Sequence, residues 1–398
     1  MGKVFVIGAG LSKALADAPL ANEFFEIIYH KAQVRDDNDR PQRDLDRSDF
    51  NMVLEYLQQE TKPLLDFLQR DGTKVKTCEG VPDLFAINIE YLCTILDLNI
   101  ERPFIPQGIG VDLKDCPVPY MRGLMVDHLR GARQFINHYI VELLLPEQLS
   151  PKADLIDNFL SLIQPDDTII TFNYDILIEQ ALWRQGIWNP VDGYQIGKIH
   201  KHEEIVFSNF TKSKVTVIKL HGSINWGTPN WSGNEIEIYT THPLTNMPLF
   251  DCLNVKSKRP IPKWKYPFDS HVVLPTFLKT ARHRWELQMI RLASQKLSQA
   301  EEIVILGYSF PEADAMANFI FSQVKRDTQI RIIDQGDPRE LADRLIDSYG
   351  VIRKKIVYEQ NSIENWIMND FKYIAYEKEL ERLREIEELI DYRKKSKR

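Results

Sequence analysis

Cysteine is scarce: the 398-residue chain has four, Cys78, Cys93, Cys116 and Cys252, and no two stand as CxxC. That excludes a zinc ribbon and a redox dithiol and leaves reduced, packed thiols. Positive charge is not in excess either, since 50 Lys+Arg face 57 Asp+Glu for a formal charge of −7. No basic field over the whole molecule therefore recruits nucleic acid or an anionic membrane. No apolar run approaches the roughly 20 residues of a membrane span. The N-terminal run Val4-Phe5-Val6-Ile7 is too short for a signal peptide, and Val6 stands where a myristoylation signal requires Ser or Thr. The expected compartment is the cytoplasm. Repeats and low-complexity tracts are lacking, and no carboxylate cluster has metal-binding spacing, so no metal is expected.

What is present is a chain long enough for two to three domains, with 43% apolar and 27% charged residues. Val4–Ile7 is a short, wholly apolar, β-branched run, the pattern of a central parallel strand buried on both faces. Similar runs recur at Thr168–Phe172, Val215–Leu220, Glu302–Leu306 and Gln329–Ile333, with helical patterns at Ile176–Arg184, Ala313–Lys325 and Arg339–Ser348. The alternation predicts an α/β fold with a Rossmann-like parallel sheet and helices on both faces. Apolar residues at helical spacing over Phe50–Arg70, Leu84–Leu98 and Met121–Leu145 predict a helical insertion within 45–163. The acidic and basic mixture over 33–49 reads as a solvated loop, and the Asn-, Gly-, Pro- and Trp-rich stretch 186–270 as irregular structure with short antiparallel strands. From Tyr373 the stripe Tyr373, Tyr376, Leu380, Leu383, Ile386 and Ile390 predicts a C-terminal helix that packs on its own domain or on a second copy. The basic end from Arg393 to Arg398 reads as solvated.

Five polar or glycine motifs stand at the carboxyl ends of the five predicted strands, where open α/β sheets bind ligands. Gly8-Ala9-Gly10-Leu11-Ser12-Lys13 follows the first strand and opens a helix. Such a turn aims backbone N–H groups at a phosphate, or serves as a ligand-free structural turn. Lys13 replaces the third glycine of the dehydrogenase fingerprint, and no acid closes a second strand at the expected distance, which disfavours a hydride-transfer enzyme. Thr171-Phe172-Asn173-Tyr174-Asp175 ends the second run. Asn173 can hold a water or a ribose hydroxyl, and Asp175 belongs to the site or merely caps the following helix. Leu220-His221-Gly222-Ser223 ends the third run, with His221 a structural hydrogen-bonder or a base. Gly307-Tyr308-Ser309, followed by Asp314 at a helix start, ends the fourth, and Asp334 closes the fifth.

In that order these motifs resemble the SIR2-like superfamily over roughly residues 1–335. The resemblance implies NAD+ as substrate. It places Gly8, Ala9, Gly10 and Ser12 at the pyrophosphate, Asn173 and His221 at the ribose as the catalytic pair, and Gly307, Ser309 and Asp334 at the adenosine end, with Thr171 and Asp175 in the NAD-binding set. It divides the chain into an NAD-binding α/β domain of 1–32 and 164–360, a helical insertion of 45–163 and a C-terminal helix of 361–398. The four-cysteine zinc module of protein-deacylating sirtuins is missing. The pattern with Tyr174, Gly222-Ser223, Gly307-Tyr308-Ser309 and Asp314 looks instead like prokaryotic SIR2-domain NAD hydrolases of anti-phage defence. That likeness implies a homo-oligomer, and as partner a HerA-type hexameric ATPase or another phage sensor. A sirtuin-type deacylase or ADP-ribosyltransferase and a non-catalytic NAD or ADP-ribose sensor remain alternatives.

Overall fold

The computed structural model describes residues 2–33, 47–52, 93, 96, 118–199, 203–205, 212–227, 236–240, 249–250, 255–257, 270–272, 284–311, 314–368 and 374–375. The chain forms two compact units, one of Met1–Ala18, Leu149–His271 and Thr280–Arg398, the other of Pro19–Gln148 and Val272–Lys279.

The first unit contains β1 (Val4–Ile7), β2 (Thr168–Thr171), β3 (Thr216–Lys219), β4 (Gly222–Gly227), β5 (Glu237–Ile238), β6 (Glu302–Leu306), β7 (Gln329–Asp334), β8 (Ile356–Gln360) and β9 (Ile374–Ala375). Seven of these make one sheet in the order β9-β8-β7-β6-β1-β2-β3. Its strands pair in parallel from β3 to β8, and β9 lies antiparallel on the edge. Between the strands run α1 (Ala9–Ala16), α2 (Ala153–Ser161), α3 (Leu177–Arg184), α4 (Arg284–Gln299), α5 (Ala315–Phe321), α6 (Pro338–Tyr349) and α7 (Ile363–Ile367). This is the doubly wound, Rossmann-like arrangement. The chain first works outward through β2 and β3 and then returns to the far side of β1, so the order reverses between β1 and β6.

Central strands of such a sheet are covered on both faces, and β1 and β2 are buried along their whole length. Phe5 meets Phe159 of α2 edge to face, centroids 6.2 Å apart. Each fully buried aliphatic side chain here is worth roughly 1.5–3 kcal/mol. Helix ends follow local chemistry. α6 starts behind Asp337, whose carboxylate accepts from the Arg339 N–H, has proline in its first turn, and stops at Gly350 with φ +69°.

Register aligns the carboxyl ends of five strands. Ile7 pairs with Thr171 on one side and Leu306 on the other, Thr171 pairs with Lys219, and Leu306 with Ile333. The turn after β1 lies hard against the turn after β6. A Cβ at Gly8 would come within 2.4 Å of the Gly307 carbonyl oxygen, and one at Gly307 within 2.7 Å of the Gly10 Cα. Gly307 also holds φ +55°. Two backbones thus touch where any side chain would intervene.

The second unit contains the helices Ala21–Gln33 and Val118–Leu143, with further helical residues at 47–52. Leu129, Ala132, Phe135, Ile136, Tyr139 and Ile140 form a buried stripe at helical spacing. Phe135 stacks on Phe50 at 4.8 Å, and His128 Nδ1 lies 2.6 Å from Asp49 Oδ1.

The five predicted strands are present within a residue at each end, and the helix expected over Ala313–Lys325 is confined to Ala315–Phe321. Two expectations about secondary structure are corrected. Ile374–Ala375, expected within the C-terminal helix, is an edge strand because β8 offers an open ladder beside it. Ala153–Ser161 falls in the unit of the sheet and Ala21–Gln33 in the helical unit. Residues 47–49, expected in the solvated loop, are helical. The remainder of that loop, the Phe50–Arg70 pattern beyond residue 52, most of Leu84–Leu98 and the C-terminal stripe beyond residue 375 lie outside the described residues. Among the described residues no helix is long and apolar enough to cross a membrane.

The glycine contact is testable by urea denaturation. Gly350→Ala introduces only left-handed backbone strain, since its Cβ meets nothing nearer than 3.8 Å, and is expected to cost about 1–2 kcal/mol. Gly307→Ala carries the same strain plus the overlap with Gly10 and is expected to cost clearly more. Equal losses would show that the two turns separate easily.

Candidate functional site

The hydrogen-bond ladder continues one residue beyond the strands. Phe172 donates to Ile7 O at 3.1 Å, Leu220 to Thr171 O at 3.1 Å, Gly8 to Leu306 O at 3.0 Å and Gly307 to Ile333 O at 3.2 Å. Four of the five motifs predicted from sequence are thereby drawn to one edge with their first residues fixed by backbone. Asp334, at the end of β7, belongs to the same edge, where its Oδ1 accepts from the Gly336 N–H at 2.6 Å and its carbonyl from Asn361 at 3.1 Å.

Beyond β1, Gly8 is extended and α1 begins at Ala9. The Gly10 N–H donates to Gly307 O at 3.0 Å and the Leu11 N–H to Gly8 O at 3.1 Å, so two amides of this turn serve protein acceptors. Ala9 is exposed and Gly10 half-buried.

Asn173 is the centre of a relay whose polarity is fixed from one end. Asp175 Oδ2, which can only accept while ionised, takes the Ser12 hydroxyl proton at 2.7 Å. Ser12 Oγ must then accept, and does so from Asn173 Nδ2 at 2.9 Å. The second amide hydrogen goes to Gly8 O, also at 2.9 Å. Both donors of Asn173 are therefore spent on the glycine turn, and its carbonyl oxygen is the group left to act on a ligand. Asp175 Oδ1 accepts from the Leu177 N–H at 3.0 Å, so the aspartate both caps the approach to α3 and anchors Asn173. Thr171 Oγ1 accepts from the Asn173 N–H at 3.1 Å.

His221 follows Leu220 in the tight turn from β3 to β4. Its Nε2 lies 3.0 Å from Asp314 Oδ2, with both side chains almost wholly buried. The ring meets Phe172 edge-on at 5.1 Å and Tyr174 at 6.4 Å, so the two neighbours of Asn173 flank the imidazole. Phe172 in turn stacks face to face on Tyr308 at 4.0 Å. His221 thus packs against both sequence neighbours of Asn173, while the Asn173 side chain lies on the glycine turn. Ser309, two residues after Gly307, is exposed.

Behind this edge lies a charged cluster that the sequence reading missed. Lys219, fully buried at the end of β3, donates through Nζ to the Asp175 carbonyl and, at 2.7 Å, to Glu179 Oε1. Tyr194 donates to the same oxygen at 3.2 Å, and Ser223 to Asn225 Oδ1 at 2.7 Å. Burial pushes the Glu179 carboxyl above its ordinary value, with Lys219 opposing. Burial and then the Glu179 charge push the Tyr194 hydroxyl well up. The signal was available: a lysine closing an otherwise apolar buried strand needs a partner. Among the described residues no group of three or more His, Cys, Asp or Glu is arranged to hold a metal ion.

Residues 167–352 match the sequence family described as "SIR2-like domain", a span that takes in β2 through β7 and both Asn173 and His221. Two solved structures are similar to the chain. One is SIR2 in complex with the inhibitor EX-527, 2'-O-acetyl-ADP-ribose and deacetylated p53 peptide, at 11% identity over 92% of this chain and 91% of that one, TM-score 0.31. The other is Sir2Tm bound to a propionylated peptide, at 12% identity over 93% and 91%, TM-score 0.28. No curated protein sequence matches.

Removing the buried ammonium isolates its contribution. Lys219→Met leaves Glu179 without its cation and is expected to cost about 3–5 kcal/mol near pH 8. A carboxyl whose folded pKa is raised contributes stability that is intact below its unfolded value and lost as pH rises through the folded one. Without Lys219 that value rises further, so the deficit is expected to shrink towards pH 5 as Glu179 takes a proton. Urea denaturation at the two pH values measures both; a deficit independent of pH would count against the pairing.

Proposed function

We propose that the chain hydrolyses NAD+ at the nicotinamide–ribose bond. The observation that carries this reading is the placement of Asn173 and His221 at the carboxyl ends of neighbouring strands, with the Asn173 amide hydrogens fixed on the glycine turn. Cleavage breaks the bond from C1′ to nicotinamide, whose ring nitrogen keeps the electron pair and becomes neutral, while positive charge develops on the ribose. Such a step calls for an oriented acceptor and a positioned water more than for a strong acid. The Asn173 carbonyl oxygen supplies the acceptor and orients the water or a ribose hydroxyl; His221 takes the proton as oxygen bonds to C1′. Positioned acid–base help of this kind is worth ~10²–10⁴ in rate.

In this reading Gly8, Ala9 and Gly10 face the pyrophosphate, and Gly307, Ser309 and Asp334 the adenosine end. Ser12, Thr171 and Asp175 belong to the same site, holding Asn173 in place. The match to the SIR2-like family over 167–352 supports NAD+ as the substrate. The likeness of the motifs to defence enzymes extends the proposal to NAD+ depletion on phage infection, by a homo-oligomer working with a HerA-type ATPase or another phage sensor.

Free nicotinamide released from NAD+ by the purified protein tests the chemistry. Release without any acyl-peptide is expected, and Asn173→Ala and His221→Ala are each expected to lower it by at least ~10²-fold while far-UV circular dichroism stays unchanged. Release that requires an acyl-lysine peptide would make the protein a deacylase. Calorimetric binding of NAD+ with no release, with or without peptide and partner, would make it a sensor. In infected cells the wild-type gene is expected to lower NAD+ and the Asn173→Ala gene to leave it unchanged.

A further inference from the structure

Asp314 is the N-cap of α5, and a cap uses one side-chain oxygen. Its Oδ1 accepts from the Ala317 N–H at 3.1 Å. Asn or Ser would cap as well without carrying charge, so the cap does not account for a carboxylate that is 1% exposed. The second oxygen does. Oδ2 lies 3.0 Å from His221 Nε2 and accepts from the Tyr308 hydroxyl at 3.2 Å. A buried anion is costly unless a cation or strong donors face it, and the imidazole is the partner able to supply a positive charge on demand.

The ring is held from other sides too. Phe172 meets it edge-on, and Tyr308, which serves Asp314 through its hydroxyl, stacks on Phe172 through its ring. Nε2 and Oδ2 lie within hydrogen-bond distance, at an angle outside that of a formed hydrogen bond; hydrogen bonds at reacting groups are often poorly aligned before substrate binds.

We propose that Asp314 is the positioning residue of His221: it holds the neutral imidazole in the Nε2–H tautomer, leaves the basic lone pair on Nδ1, and pairs with the imidazolium that forms when Nδ1 takes a proton. The inference rests on the reading of His221 as the base in NAD+ cleavage. During the step the proton passes from water or a ribose hydroxyl to Nδ1, and Asp314 stays ionised. The loop after β6 thereby acts directly on a residue of the β3–β4 turn.

Asp314→Asn separates the charge from the cap, because asparagine still accepts from the Ala317 N–H. The variant is expected to melt close to wild type, to lose at least about 10²-fold in kcat for nicotinamide release with KM for NAD+ within about threefold, and to cause no further loss in a His221→Ala background. A cap alone predicts instead a near-wild-type Asp314→Asn and a damaged Asp314→Ala. A second measurement needs no turnover and no substitution at Asp314. Imidazole ¹⁵N shifts of the wild-type protein, with the His221 signals assigned by their loss in His221→Gln, are expected to report Nε2–H. An Nδ1–H tautomer in wild type, or full kcat in Asp314→Asn, overturns the inference. Wild-type protein that binds NAD+ without releasing nicotinamide overturns the proposed hydrolase instead, and the tautomer still decides the role of Asp314.

Discussion

The geometry of this edge depends on the parallel ladder running one residue past the ends of its strands. Because Phe172, Leu220, Gly8 and Gly307 each donate to a carbonyl at the end of a neighbouring strand, the last one or the last but one, the first loop residues have no independent freedom, and the residues after them start from fixed positions. Asn173 stands one residue beyond such an anchor, and so does His221. Sites built directly on sheet ends hold their geometry better than sites on long loops, which is what a reaction limited by orientation requires.

Order at this edge runs from buried charge outward. Asp175 sets the direction of the Ser12 hydroxyl, which sets the direction of the Asn173 amide. The Asp175 main chain is in turn held by Lys219, whose charge is balanced by Glu179. No member of this chain can rotate without stranding its neighbour in a medium that penalises unpaired polar groups heavily. A buried ion pair is weak evidence for stability in itself; its consequence here is a single orientation of an amide that would otherwise have two.

The sheet, the five strand ends, Asn173 and His221 were legible in the sequence because each is local: a short apolar run, then a glycine or a polar residue. Partners distant along the chain were not. Asp314 read as the start of a helix, which it is, but nothing in its neighbourhood points to His221. Lys219 and Glu179 sit in segments whose periodicity reads as ordinary strand and helix. The edge strand at Ile374–Ala375 was illegible for a related reason, since two residues carry no period and owe their conformation to the open ladder of β8. Asp175 shows the opposite case: one carboxylate oxygen accepts from the Leu177 N–H at the approach to α3 and the other from the Ser12 hydroxyl, so its partners lie both near and far along the chain.

Glycine at 8, 10 and 307 has an explanation independent of any ligand. The backbones of two turns touch there, and a Cβ at any of the three would overlap the other turn. A glycine-rich turn after the first strand is therefore weaker evidence for a phosphate than it looks, the more so as the Gly10 amide is given to Gly307. Packing gives no comparable reason for a buried asparagine whose amide donors are both held on the turn, or for a buried imidazole backed by a carboxylate. An apolar pair would fill the same space without the desolvation of so many polar groups. The cost of burying them is the physical argument that supports the proposed roles of Asn173 and His221, and it holds whatever the turn at residue 8 binds.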